Sequence, residues 1–222
     1  MRSFRFVRAL GLAVVVGAML AGCGSEVAME KQSAASALTQ PNYAGLSVYT
    51  LVDDGFSIGV PTGWTAITAE DAHSESIDAI VDASPKLAKF RDLFAGRESP
   101  FKLFAGEWDP DACICSTIMV IAMPLDKTWR ARDFEAGGLS GARKIALPGT
   151  KPKVTQAKTP AGSGIRITTR AKAPGTDIEV ITTSYLLHTA KSAYILSYTA
   201  SPDVTKTYGL LFVRSARSLR EV

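Results

Sequence analysis

Cys113 and Cys115, one residue apart, are the pair in this chain whose type and spacing most invite chemistry. On a strand, positions two apart share a face, with Cα atoms about 6.5–7 Å from each other. That is the upper limit for a disulfide, so a bridge requires a bend or a bulge. Three readings stay open: a strained local disulfide, two buried free thiols, or a redox or metal role. A Cys-x-Cys pair with no further Cys or His close by in sequence is a weak metal signal, because zinc normally takes four ligands.

The remaining reactive residues are scattered. His73 falls near a helix start and His188 at a strand end beside a turn, and both read as surface or capping residues. Gly138-Leu139-Ser140-Gly141-Ala142 is one glycine short of a nucleophile elbow and follows a helical pattern where the elbow needs a buried strand. Asp109 and Asp111 flank Pro110, which is ordinary turn chemistry, and two carboxylates fall short of the six to eight oxygens that calcium takes. No convergent catalytic set is visible, so the expectation is a protein that is not an enzyme and has no cofactor and no metal.

The third cysteine, Cys23, has a different context. Arg2, Arg5 and Arg8 precede an uncharged run over residues 9–22, which ends Leu20-Ala21-Gly22-Cys23. A spanning helix needs about 20 apolar residues, so this shorter run reads as the core of a signal peptide. The ending resembles the bacterial lipobox, in which signal peptidase cuts between the residues corresponding to Gly22 and Cys23. The resemblance implies a diacylglycerol joined to the Cys23 sulfur as a thioether, for which a thiol is required. Two or more acyl chains give stable anchoring where one gives only marginal binding. The expected location is the extracytoplasmic face of the cell membrane, an oxidising setting in which a Cys113–Cys115 bridge could persist.

Composition agrees with a folded body behind that leader. The 222 residues are 46% hydrophobic and 21% charged, which excludes a disordered polymer or a polytopic membrane protein. The net charge of +4 includes the three leader arginines, leaving +1 for the rest. A near-neutral body argues against nucleic acid as a partner. The expected organisation is a signal peptide over 1–22, a lipidated N-terminus and flexible Ser/Ala-rich tether over 23–42, and one domain over 43–222.

Within the domain, alternation and turn residues place short strands over 47–51, 56–60 and 64–67, with Asp53-Asp54-Gly55 and Pro61-Thr62-Gly63 as turns. Residues 69–94 are helical in period, with Pro85 dividing them into two short helices. Strands follow over 101–108 and 113–123, then a helix over 128–144 with Trp129, Phe134 and Leu139 as its large apolar residues. Four more strands run over 152–158, 164–172, 177–187 and 193–199. Their connections are short enough to demand antiparallel pairing. A helix over 204–218 closes the chain. Strands in runs with helices between them give an α+β fold with an antiparallel sheet.

Gly55-Phe56-Ser57-Ile58 followed by Val60-Pro61-Thr62-Gly63-Trp64 resembles the opening of the PsbP/Mog-like family, and the later order of elements is similar to that family over residues 43–220. Within it, the chain resembles actinobacterial-type lipoproteins, distantly the LpqN-like ones. The resemblance implies an α/β/α sandwich around one antiparallel sheet and an accessory or binding role in a larger assembly. The residues also have a direct reading: Pro61 fits a strand end, Gly63 permits a turn dihedral, and Trp64 is large enough to cover one end of the core.

Arg166, Thr168, Arg170 and Lys172 form the polar face of one strand, opposite Ile165 and Ile167, while Asp177 and Glu179 begin the next strand. Cross-strand salt bridges are one reading of this hairpin, and a docking patch for an acidic partner or lipid headgroup is another. The functional expectation is a membrane-anchored envelope lipoprotein that serves as a non-enzymatic binding or accessory module for a protein or lipid. The alternative is an envelope redox or metal-dependent protein that uses Cys113 and Cys115.

Overall fold

The structure, a computed structural model, describes residues 45–68, 71, 99–106, 116–173 and 177–222. Ten strands and two helices lie within them. In chain order they are β1 (Leu46–Leu51), β2 (Phe56–Pro61), β3 (Thr65–Thr68), β4 (Phe101–Gly106), β5 (Thr117–Pro124), α1 (Ala131–Ile145), β6 (Lys153–Thr159), β7 (Gly162–Lys172), β8 (Glu179–His188), β9 (Ser192–Ala200), α2 (Pro202–Ser218) and β10 (Arg220–Glu221). The two short helices expected over 69–94 lie outside the described residues.

The described strands make two antiparallel sheets where the family resemblance implies one: a small sheet in the order β1-β2-β10, and a large one in the order β3-β4-β5-β9-β8-β7-β6. The division falls at Pro61-Thr62-Gly63. The Trp64 amide donates to the Pro61 carbonyl at 3.1 Å, and Gly63 sits at φ +90°, where a side chain would be strained. The chain leaves β2 by this turn, and β3 then pairs with β4 instead of β2. The expected meander is present, with β6 to β9 each paired antiparallel to the next. Strand β10, which the sequence reading did not anticipate, closes the small sheet along β2.

Alternation divides the apolar residues between the two faces of the large sheet. From β5, Met119, Ile121 and Met123 join Phe104, Ile165, Ile167 and Leu186, together with Phe134 and Ala142 of α1. On the opposite face, Ile118, Val120 and Ala122 join Leu103, Leu196 and Tyr198, with Phe212 and Ala216 of α2 and Phe56, Ile58 and Val60 of the small sheet. Helix α1 therefore lies against one face, and α2 and the small sheet against the other. Buried hydroxyls on the α1 face pair across strands, Thr182 with Thr199 at 3.2 Å and Ser184 with Ser197 at 3.0 Å. Lys102 on β4 meets Asp54 of the β1–β2 hairpin at 2.7 Å, tying one sheet to the other.

Helix α1 starts two residues after Trp129. The Asp126 carboxylate accepts from both the amide and the hydroxyl of Thr128, at 2.8 and 2.6 Å, and this side-chain turn holds the backbone out of the helix. Helix α2 starts earlier than its apolar period suggests. Ser201 caps it by accepting from the Val204 amide at 3.3 Å, and Pro202 occupies the first turn.

Candidate functional site

Gly22, Cys23, His73, Asp109, Asp111, Cys113 and Cys115 lie outside the described residues. Those that are described do not converge. His188, at the end of β8, rests its ring 5.0 Å from that of Trp129. Ser140 is exposed on helix α1, so the near-elbow sequence is a piece of ordinary helix. Gly138 has a packing reason: a Cβ there would fall 2.1 Å from Leu186 Cδ2, so a larger residue would push this core leucine aside or lift α1 from β8. Among the described residues, no three of His, Cys, Asp and Glu come together as a metal-binding group.

The arrangement that does assemble is an open cationic region on the α2 side of the large sheet. In antiparallel pairing, directly opposite residues share a face. Arg166 pairs with Tyr185, Thr168 with Thr183, Arg170 with Ile181 and Lys172 with Glu179. On the other edge of β7, Lys153 pairs with Thr168 and Thr155 with Arg166. Lys153, Arg166, Arg170 and Lys172 therefore share one face, with Thr155, Thr168 and Thr183 between them. The Thr168 and Thr183 hydroxyls lie 3.3 Å apart.

Two of the four cations are paired as the sequence suggests. Arg170 Nε donates to Glu179 at 2.6 Å and Lys172 Nζ to Asp177 at 2.5 Å. The hydrogen bond from Arg170 holds the Glu179 carboxyl below its ordinary pKa, and that from Lys172 does the same for Asp177. Both pairs are exposed, so solvent screens them and they add little to stability. Lys153 and Arg166 form no ion pair among the described residues, and they leave the face with unneutralised charge.

One strand further in, the same face closes. Trp64 is 6% exposed and lies with its ring 5.4 Å from Tyr208 and 6.1 Å from Phe212, as its expected place in the core requires. Tyr198 packs against Phe212 at 5.0 Å and Tyr185 at 5.8 Å. Its buried hydroxyl donates to Ser215 Oγ at 3.1 Å, and Ser215 Oγ donates to the Gly59 carbonyl at 2.5 Å. The Gly59 amide in turn donates to Ser218 Oγ at 2.6 Å. Burial pushes the Tyr198 phenol far above its ordinary pKa. This relay fastens α2 to both sheets. Sequence reading missed it because Ser215 and Ser218 look like polar helix positions until the partner strand is known.

It also missed a signal for the cationic face. The near-neutral total averages two opposite halves: residues 127–222 hold sixteen Lys and Arg against six Asp and Glu, whereas residues 23–126 hold six against fifteen. Within the large sheet the order sets β3, β4 and β5 on one side and the β9-β8-β7-β6 meander on the other, while α2 and β10 carry further basic residues of the second half against the small sheet. A charge count by halves, in place of one total, points to the meander.

No family model matches the chain, and no curated protein matches it. Among solved structures it is similar to cyanobacterial PsbP (CyanoP) from Synechocystis sp. PCC 6803, at 10% identity, over 84% of this chain and 98% of that one, with a TM-score of 0.48. It is also similar to LpqN of Mycobacterium tuberculosis, a protein involved in cell envelope biogenesis, at 11% identity, over 80% of this chain and 86% of that one, with a TM-score of 0.49.

Proposed function

We propose that this chain is an envelope lipoprotein, held by a lipid on Cys23 at the extracytoplasmic face of the cell membrane, and that its PsbP-like domain is a non-enzymatic accessory module for a protein or lipid partner. The observation that carries this reading is the leader: three arginines, an uncharged run over 9–22, and Leu20-Ala21-Gly22-Cys23 at its end. The domain's features support it. No helix among the described residues is long and apolar enough to cross a membrane, so in this reading the acyl chains on Cys23 supply the attachment. The described histidine and the near-elbow serine serve packing or lie on a helix surface, while the open polar area is an extended sheet face suited to docking.

Labelling cells with radioactive palmitate tests the reading. The wild-type chain takes up label, and Cys23→Ser does not, because the thioether cannot form on a hydroxyl. The variant accumulates as precursor with residues 1–22 attached. Label retained on the Cys23→Ser chain overturns the lipoprotein assignment.

A further inference from the structure

We infer that the cationic face of β6 and β7 docks the domain onto an anionic phospholipid surface, with Lys153 and Arg166 as its principal contacts. The inference rests on the lipoprotein reading for the identity of the surface, and on the structure for the face.

Four observations converge. Arg166, Thr168, Arg170 and Lys172 follow one another at every second position of β7, so their side chains leave the same face at intervals of about 6.5–7 Å. Lys153 joins them from β6, opposite Thr168. Thr155, Thr168 and Thr183 share the face with the cations, and Ile181 stands opposite Arg170, so the cations form a row along β7 with Lys153 beside it. A row of cations spread along a strand complements an extended array of phosphates better than it does a single small anion.

The cations outnumber the acids at hand. Glu179 and Asp177 engage Arg170 through Nε and Lys172 through Nζ, and among the described residues no carboxylate pairs with Lys153 or Arg166. Strands β6 to β9 themselves carry five Lys and Arg against one Glu. Edge-strand lysines are also a common guard against strand-to-strand association, which accounts for Lys158 on β6. That guard does not require Arg166, which sits on an inner strand.

The tether favours a membrane over a free acidic protein. From Cys23 to the first described residue, Gly45, the chain is short enough that even fully extended it reaches only about 75 Å. An anchored domain therefore stays at high effective concentration beside the headgroups. Each Lys or Arg near an anionic surface contributes on the order of 1 kcal/mol, which falls off within a Debye length. A handful of cations is then enough to orient a domain already held at the surface, and without the anchor it still gives a salt-sensitive partition onto anionic vesicles in excess.

The test uses the mature chain from residue 23 carrying Cys23→Ser, so that no acyl chain contributes. It is mixed with vesicles of phosphatidylcholine alone or with phosphatidylglycerol added, and binding is read by co-sedimentation. The expected result is binding to the phosphatidylglycerol vesicles only, weakened by salt. Lys153→Glu with Arg166→Glu should reduce the partition coefficient at least about tenfold, and Lys153→Gln with Arg166→Gln less. Lys191→Glu with Lys206→Glu, an equal change of charge elsewhere, should leave it within about twofold. Circular dichroism confirms that each variant is folded, and the glutamine pair keeps the test open should the glutamate pair not fold. An equal loss in the control pair means diffuse attraction and overturns the assignment of the face. Absence of binding to anionic vesicles overturns the inference, and binding to polyglutamate in its place identifies an acidic polypeptide as the occupant. Palmitate labelling at Cys23 is independent of all these outcomes, so the anchor and the face can fail separately.

Discussion

Tyr185 and Arg166 stand opposite each other on adjacent strands, on one face of one sheet, and their surroundings have nothing in common. Tyr185 is 6% exposed beneath α2, edge-on to Tyr198, and next to the relay of hydroxyls from Tyr198 through Ser215 to Gly59. Arg166 is half-buried among Lys153, Thr155 and Thr168, in the open part of the face. The difference follows from dimensions. A helix with its side chains is about 10–12 Å across, and strands are about 4.8 Å apart. Helix α2 meets β8, β9 and part of β6. A seven-stranded sheet has more face than α2 and the small sheet can close, and what stays open is the part of β6 and β7 around Lys153, Arg166 and Arg170. Packing determines the closed half and charge the open half, so mutations in the two should report through different measurements.

The largest effect is expected in the closed half. Trp64→Ala should lower the unfolding free energy by about 3–5 kcal/mol, because the buried indole packs against the stacked rings of Tyr208 and Phe212 and its removal leaves a cavity there. A denaturant midpoint near that of the wild type would mean that the aromatic cluster is not the seam between α2 and the sheets.

Tyr198→Phe should cost about 1–2 kcal/mol, since the ring stays while a buried hydrogen bond to Ser215 is lost. The same variant carries a pH signature. Burial keeps the Tyr198 phenol protonated at a pH where the unfolded chain's tyrosines ionise, near 10. Above that pH the unfolded state binds fewer protons than the folded one, so stability falls as pH rises. Denaturant melts across the alkaline range should show a shallower decline for Tyr198→Phe than for the wild type. Equal slopes would place the titrating group elsewhere.

The smallest effect belongs to the open half. Arg170→Ala removes the partner of Glu179, yet the pair is exposed and screened, and the denaturant midpoint should not move measurably. A clear loss of stability there would show that the face is a packed part of the fold, and its role as a free docking surface would have to be withdrawn.

The parts of this comparison differ in how readily the sequence shows them. The β6–β9 meander is legible because alternation and short turns are local, and so are the pairs Arg170–Glu179 and Lys172–Asp177, which join neighbouring strands through one turn. Trp64 is legible from the turn before it. The second sheet is not, because β10 reaches β2 from more than 150 positions away in sequence. Trp129 is misplaced by its helical spacing, since one Asp126 carboxylate redirects the backbone. The cationic face is half legible: its residues stand in plain order on β7, but their excess charge disappears in a total taken over the whole chain.

By itself, then, the sequence determined the strands of the meander and which side chains of each strand go together, because a pleat fixes the latter within two residues. The tertiary structure decided which of those faces would be covered. That choice depends on where α2 crosses the sheet, and α2 is fixed by Tyr198, Ser215, Ser218 and Gly59 meeting from three distant segments. Until those hydroxyls find one another, nothing in β7 distinguishes a cation that faces a helix from one that faces solvent.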